Sequence, residues 1–92
     1  MPIVLWGAGK TGRRLLKGLL AEGAKIEAII DIDPRKIGRA RRGVPVVDIS
    51  WLKEHRDIFV IAAVSQLGAG QLIRNTLAEF GFREGVDFIC AA

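Results

Sequence analysis

The feature that most constrains the fold is a four-residue apolar run, Ile3–Trp6, that leads directly into the glycine-rich segment Gly7–Gly12. This segment has the spacing G-x-G-x-x-G, and the residues that follow, Arg13–Glu22, have the apolar periodicity of an amphipathic helix. Glycines allow a ligand to approach the main chain, and the unpaired N–H groups at a helix start attract anions. The sequence therefore predicts a strand, a tight turn and a helix that together form an anion site.

The rest of the chain alternates between short apolar runs and amphipathic segments, which is typical of an α/β protein. The predicted strands are Ile3–Trp6, Lys25–Asp31, Val44–Val47, Asp57–Val64 and Val86–Cys90, and the predicted helices are Arg13–Glu22, Asp48–His55 and Gln71–Phe80. Pro45 lacks a main-chain N–H, so its strand is predicted to lie at a sheet edge. The polar, basic segment Ile32–Gly43 is predicted to be a loop, and Leu72 is predicted to face the core.

Parallel strands joined by helices predict an open, doubly wound, mostly parallel sheet with helices on both faces and strand order 3-2-1-4-5. Ligands in such sheets bind outside the carboxyl ends of the strands, at the crevice where the strand order reverses. We expect that crevice between the first and fourth strands.

The composition bounds the class of protein. The chain has 92 residues, of which 50% are hydrophobic and 26% charged, so we expect one folded domain over residues 1–92, alone or as part of a longer protein. Its one cysteine, Cys90, excludes an internal disulfide and favours a reducing compartment. We find no signal peptide and no apolar stretch of the ~20 residues that span a bilayer, so the prediction is a cytoplasmic protein without a membrane partner.

Asp31 ends the second predicted strand at the position from which an acidic side chain binds a ribose diol, about 20 residues after the glycine segment. Gly7 is expected to form the tight turn, Gly9 to admit a pyrophosphate and Gly12 to let the helix pack closely. The full predicted set of binding residues is Gly7, Ala8, Gly9, Lys10, Thr11, Gly12, Asp31, Ile32, Asp33 and Ser65. Alternatively, the glycines only allow close packing, and the pocket is empty.

Charge leaves the choice between NAD and NADP open. Asp31 would repel a 2′-phosphate and so favours NAD, whereas Arg35 and Lys36 could hold such a phosphate. Lys10 is a candidate phosphate ligand by its charge, and Asp33 is the second choice for the ribose.

The basic run between residues 35 and 42 lies in the predicted surface loop and lacks interleaved aromatic residues, so we expect no nucleic-acid partner. One histidine and one cysteine are too few for a metal cluster of the usual soft ligands. No pairing of residues suggests a nucleophile with its base, so neither catalytic nor metal residues are predicted.

Three segments carry a family resemblance: WGAGKTGRRLL (6–16), AIIDIDPRKIGR (28–39) and GVPVV (43–47). With them the chain resembles the Rossmann-like nucleotide-binding domains of bacterial sugar-processing enzymes. Examples are the amino-terminal domain of nucleotide-sugar acetyltransferases and domains appended to family 2 glycosyltransferases. The resemblance implies that the glycine turn and Asp31 contact a nucleotide or nucleotide-sugar. The hexapeptide-repeat β-helix of the acetyltransferases is missing from this sequence, so their activity is not carried over.

We therefore expect a module that binds a nucleotide, a dinucleotide such as NAD, or a nucleotide-sugar, as an accessory part of a sugar-modifying transferase. Two alternatives stay open at this point. One is a fragment of an NAD-dependent oxidoreductase, and the other is an empty sheet that serves contacts within a homo-oligomer or with a larger enzyme.

Overall fold

The computed structural model describes residues 1–63 and 69–91, and in these ranges six strands form one sheet of order β3-β4-β2-β1-β5-β6. The elements are β1 Ile3–Trp6, α1 Lys10–Ala21, β2 Ile26–Ile30, β3 Ala40–Arg41, β4 Val44–Val47, a 3₁₀ helix Ile49–Lys53, β5 Phe59–Ala63, α2 Ala69–Glu79 and β6 Phe88–Ala91. The β3–β4 pair is antiparallel and the other pairs are parallel. The predicted doubly wound sheet and the order of its five predicted strands are confirmed.

Successive residues of a strand point to opposite sides, so the apolar strands give the sheet two apolar faces. Helices cover both of these faces. On one face, Leu16 of α1 packs against Leu5 and Ile29 and is 1% exposed. On the other face, Leu52 of the 3₁₀ helix and Leu77 of α2 belong to a second buried cluster. The sheet thus separates two cores and leaves the carboxyl ends of its strands open between the two layers of helices. In the described ranges, neither α1 nor α2 is long and apolar enough to cross a membrane.

Strand β3 was not predicted, and it lies in the predicted loop Ile32–Gly43. Arg42 (φ 51°) and Gly43 (φ 81°) both have positive φ and form a two-residue hairpin turn between β3 and β4. The predicted edge position of β4 was therefore wrong. Pairing with β3 uses the hydrogen bond from the Val46 N–H to the Arg39 carbonyl (2.8 Å), so the N–H that Pro45 lacks is not needed.

Element boundaries differ from the predictions by one to a few residues. Helix α1 begins at Lys10 rather than Arg13, because its N-cap is Gly9 and the first helical turn lies within the glycine segment. Helix α2 begins at Ala69 rather than Gln71. The predicted end of β5, Val64, lies outside the described residues.

Asp48 caps the 3₁₀ helix, and its carboxylate accepts a hydrogen bond from the Ser50 N–H (3.1 Å). Hydrogen bonding by Ser50 lowers the pKa of Asp48 below its ordinary 3.8. A lowered folded-state pKa stabilises the fold above pH 3.8, and this contribution is lost as the pH falls through the folded value. We expect Asp48→Ala to melt below the wild type at neutral pH, with a difference that shrinks in acid.

Thermal melts followed by circular dichroism from neutral to acidic pH would measure this difference. Asp57→Ala, at an exposed residue just before β5, is the control for general loss of a carboxylate. A deficit for Asp48→Ala that stays constant as the pH falls would show that the charged cap does not stabilise the helix.

Candidate functional site

A cavity of about 600 Å³ lies at the carboxyl end of β1, where the strand order reverses between β1 and β5. This is the position at which open α/β sheets bind ligands. The cavity is lined by Trp6, Gly7, Gly9, Lys10, Thr11, Gly12, Asp31, Ile32, Lys36, Ile49, Ala63, Leu72, Ile73 and Thr76. The structure therefore brings seven of the ten predicted binding residues to one cavity.

Two glycines allow the turn after β1 to lie against its neighbours. Gly7 has φ 119°, and a Cβ at this position would lie 2.7 Å from the Ala63 carbonyl oxygen. A Cβ at Gly12 would overlap the carbonyl oxygen of Gly7. Side chains at these two positions would displace the main chain, so the turn and the start of α1 require glycine.

The start of α1 faces the cavity with its main chain. Gly9 is the N-cap, and within the described residues no side chain caps this turn. The first N–H groups of a helix lack intrahelical partners and carry partial positive charge. Among the residues that the structure describes, a Cβ at Gly9 would meet only the Lys36 ammonium nitrogen, at 3.7 Å, so these residues leave the space above Gly9 open. An uncapped first turn with open space above it can accept an anion.

The Asp31 side chain ties the end of β2 to the glycine turn. Its Oδ2 accepts a hydrogen bond from the Ala8 N–H (2.8 Å), and its Oδ1 accepts one from the Asp33 N–H (2.9 Å). The Ala8 N–H, one of the groups predicted to face a phosphate, is therefore used within the protein. Each carboxylate oxygen can accept a further hydrogen bond, so Asp31 also has the capacity to bind a ribose diol.

Removing this carboxylate should loosen the turn. We expect Asp31→Ala to lower the free energy of unfolding by about 2 kcal/mol, because the Ala8 and Asp33 N–H groups lose a charged acceptor. Urea unfolding would measure the loss. Glu27→Ala, in the strand that Asp31 follows, is the control, since Glu27 is exposed. Equal losses for the two variants would contradict a structural role for Asp31.

Two of the described predicted residues, Ala8 and Asp33, do not line the cavity. Ala8 is buried beneath the turn, with 1% of its surface exposed. Asp33, the second choice for the ribose, instead forms an ion pair with Arg35 (Oδ2 to Nη2, 3.0 Å), and hydrogen bonding by Arg35 lowers the pKa of Asp33. Ser65 lies outside the described residues, so its predicted contact stays a prediction.

Two cavity residues were not in the predicted binding set: Lys36, which was considered only as a cation that could hold a 2′-phosphate, and Leu72. The Lys36 N–H donates to the Asp33 carbonyl (3.0 Å), a turn that folds the loop after β2 back toward Gly9. Leu72 was predicted to face the core but is 62% exposed and lines the cavity. Ile32, a predicted binding residue, also lines the cavity and is 69% exposed. Helical periodicity places Leu72 on the apolar side of α2, but it does not tell whether that side chain is buried or lines an open cavity.

A mostly parallel sheet with this order, a glycine turn at its switch point and an acidic residue at the end of β2 together define a Rossmann-like nucleotide-binding domain. The family described as CoA binding domain matches residues 1–78, and the chain belongs to this family.

Solved structures share the fold over nearly the whole chain. One is a Rex-family repressor, RSP, with 21% identity, a TM-score of 0.72, and coverage of 99% of this chain and 52% of that chain. Another is UDP-D-quinovosamine 4-dehydrogenase from Vibrio fischeri, with 22% identity, a TM-score of 0.73, and coverage of 99% of this chain and 77% of that chain. The chain therefore spans about half the length of the repressor it matches.

The comparisons correct one prediction. RSP was also solved with β-NAD⁺ and operator DNA, and that structure matches with 21% identity and a TM-score of 0.71, over 98% of this chain and 49% of that one. The prediction that a chain of this kind has no nucleic-acid partner was wrong. It rested on missing aromatic residues in one basic loop, which says nothing of DNA bound by another part of a longer protein. These matches also do not support the narrower resemblance to acetyltransferases and glycosyltransferases.

Proposed function

We propose that this chain binds NAD(H) in the cavity at the carboxyl end of β1 and serves as the nucleotide-binding unit of a larger protein. The observation that carries the proposal is the open, uncapped first turn of α1 next to an acidic side chain held in place by the glycine turn. These are the two groups that a dinucleotide needs for its diphosphate and its ribose.

The diphosphate is proposed to lie above Gly9. Its negative charge would meet the partial positive charge of the helix start and the side chains of Lys10 and Lys36, both of which line the cavity. Lys36 already has its ammonium group near this space. Two lysines and the helix dipole would therefore attract a diphosphate at this place.

The adenosine is proposed to lie toward β2. Asp31 would accept hydrogen bonds from the ribose diol, and a 2′-phosphate at the same place would meet a carboxylate, which favours NAD over NADP. Ile32 and Leu72 expose apolar side chains at this cavity, and such side chains suit the faces of an adenine ring.

Two other ligands have specific support. Coenzyme A also contains an adenosine diphosphate. It is favoured by the description of the family and by the Lys36 ammonium group near Gly9. A nucleotide-sugar is favoured by the likeness to a UDP-sugar dehydrogenase, which also leaves a sugar-modifying protein as a candidate context. Both would place a diphosphate at the same helix start.

A thermal-shift panel would separate these ligands: NAD⁺, NADH, NADP⁺, coenzyme A, ADP and a UDP-sugar. We expect NAD⁺, NADH and ADP to raise the melting temperature, with a stabilisation of about 2.7 kcal/mol at a hundred times the dissociation constant. A larger shift with coenzyme A or the UDP-sugar would assign the site to that ligand instead. No shift with any of the six would favour an empty sheet that serves protein contacts.

A further inference from the structure

One face of the sheet is only partly covered. Ile89 of β6 is 42% exposed and pairs with Ile61 of β5, which packs against the cluster beneath α1. Between α1 and the end of β6 lies a groove of about 690 Å³, with Leu15, Leu19 and Ala91 among its walls. In the described part of the chain, α1 is the helix on this face, and it does not cover the Ile89 side chain of β6.

Three residues that line this groove follow one another at four-residue spacing and form a row: Arg14 and Gly18 of α1, and Glu22, the C-cap of α1. At a rise of 1.5 Å per residue, the arginine and the glutamate lie about 6 Å along the axis on either side of the glycine. A Cβ at Gly18 would meet none of the described residues within 4 Å, so these residues leave α1 open to close approach at this point. Within the described residues, neither Arg14 nor Glu22 takes part in a salt bridge.

We propose that a second copy of this chain covers the groove, with the two α1 helices antiparallel and crossing at Gly18. Around a twofold axis at this glycine, Arg14 of each copy faces Glu22 of the other, so one row of residues complements itself. A uniformly acidic or basic partner would be repelled by one end of the row. Leu15, Leu19 and Ile89 supply the apolar contact.

The proposed dimer interface would bury only a moderate fraction of the accessible surface of each chain. A standard interface buries about 800 Å² of each partner, and this chain exposes 5655 Å². The proposal is independent of nucleotide binding, because the row Arg14–Gly18–Glu22 lies outside the nucleotide cavity.

Sedimentation equilibrium of the wild type and of charge-reversal variants tests the proposal. We expect a dimer of the 10.0 kDa chain. Arg14→Glu or Glu22→Arg alone should weaken it at least tenfold, because each creates two like-charge contacts across the twofold axis. Mixing the two variants should restore the dimer, since one then carries two acids in the row and the other two bases. The double variant should also dimerise.

Two further variants make the result specific. Lys17→Glu reverses an exposed charge of α1 that does not line the groove and should leave the dimer unchanged. Gly18→Leu should fold, because the space at its Cβ is open, but should abolish dimerisation by blocking the crossing. The proposal is overturned if the wild type is monomeric at concentrations on the order of 1 mM. It is also overturned if mixing the single variants restores nothing, or if Lys17→Glu weakens the dimer as much as Arg14→Glu.

Discussion

Gly12→Ala should lower the free energy of unfolding by more than about 3 kcal/mol, enough to leave much of the protein unfolded if its stability is modest. The added methyl group would overlap the carbonyl oxygen of Gly7, which belongs to the main chain and cannot rotate away like the end of a side chain. Relief requires the glycine turn and α1 to separate, which would also disturb the packing of Leu16. Urea unfolding followed by circular dichroism measures the loss.

Gly18→Ala provides the matched control, since it makes the same change in the same helix at a position where a Cβ lies within 4 Å of no residue in the described ranges. Alanine is favoured over glycine in a helix interior, so this variant should gain up to about 1 kcal/mol. The comparison is made at low protein concentration, where association does not contribute. Wild-type stability for Gly12→Ala would show that the turn and the helix do not need their close approach.

Gly9→Val should keep the fold and lose nucleotide binding by at least about 100-fold. Gly9 has φ −79° and ψ −165°, an extended conformation that valine adopts readily. Its Cβ would point into space that the described residues leave open near the Lys36 ammonium group, so the side chain would fill the volume proposed for the diphosphate. A hundredfold loss corresponds to about 2.7 kcal/mol of binding free energy.

Calorimetric titration with NADH, together with a circular dichroism spectrum, checks both halves of this expectation. Gly18→Val is the control, because it adds the same side chain to the same helix outside the nucleotide cavity. Unchanged affinity in Gly9→Val would place the ligand elsewhere. An unfolded Gly9→Val protein would contradict the open space seen at this residue.

The sequence predicted those features of the fold that leave a pattern in a short stretch of residues. The strand order followed from apolar runs such as β5, whose residues supply both faces of a buried parallel sheet. The close packing at Gly7 and Gly12 followed from their spacing after a strand. Both predictions come from patterns of residues that are neighbours in the chain, although the contacts that result, such as Gly7 against Ala63, join distant residues.

The features that were missed depend on contacts between distant residues or on too few residues to form a pattern. The bond between Asp31 and the Ala8 N–H joins positions 23 residues apart. Strand β3 has two residues, and its turn places Arg42 at positive φ, where glycine or asparagine would have signalled a hairpin. The position of Lys36 over Gly9 depends on how a whole loop folds back.

The proposal depends most on whether main-chain N–H groups at the start of α1 bind a diphosphate. Amide chemical shifts of the ¹⁵N-labelled chain, titrated in parallel with ADP and with adenosine, measure this at each residue. We expect ADP to shift the amide signals of Gly9, Lys10, Thr11 and Gly12 strongly, and adenosine to shift them little. The signal of Ala8, whose N–H is bonded to Asp31, should move less than these four. If ADP leaves the four signals in place, or if adenosine shifts them equally, the start of α1 is not a diphosphate site.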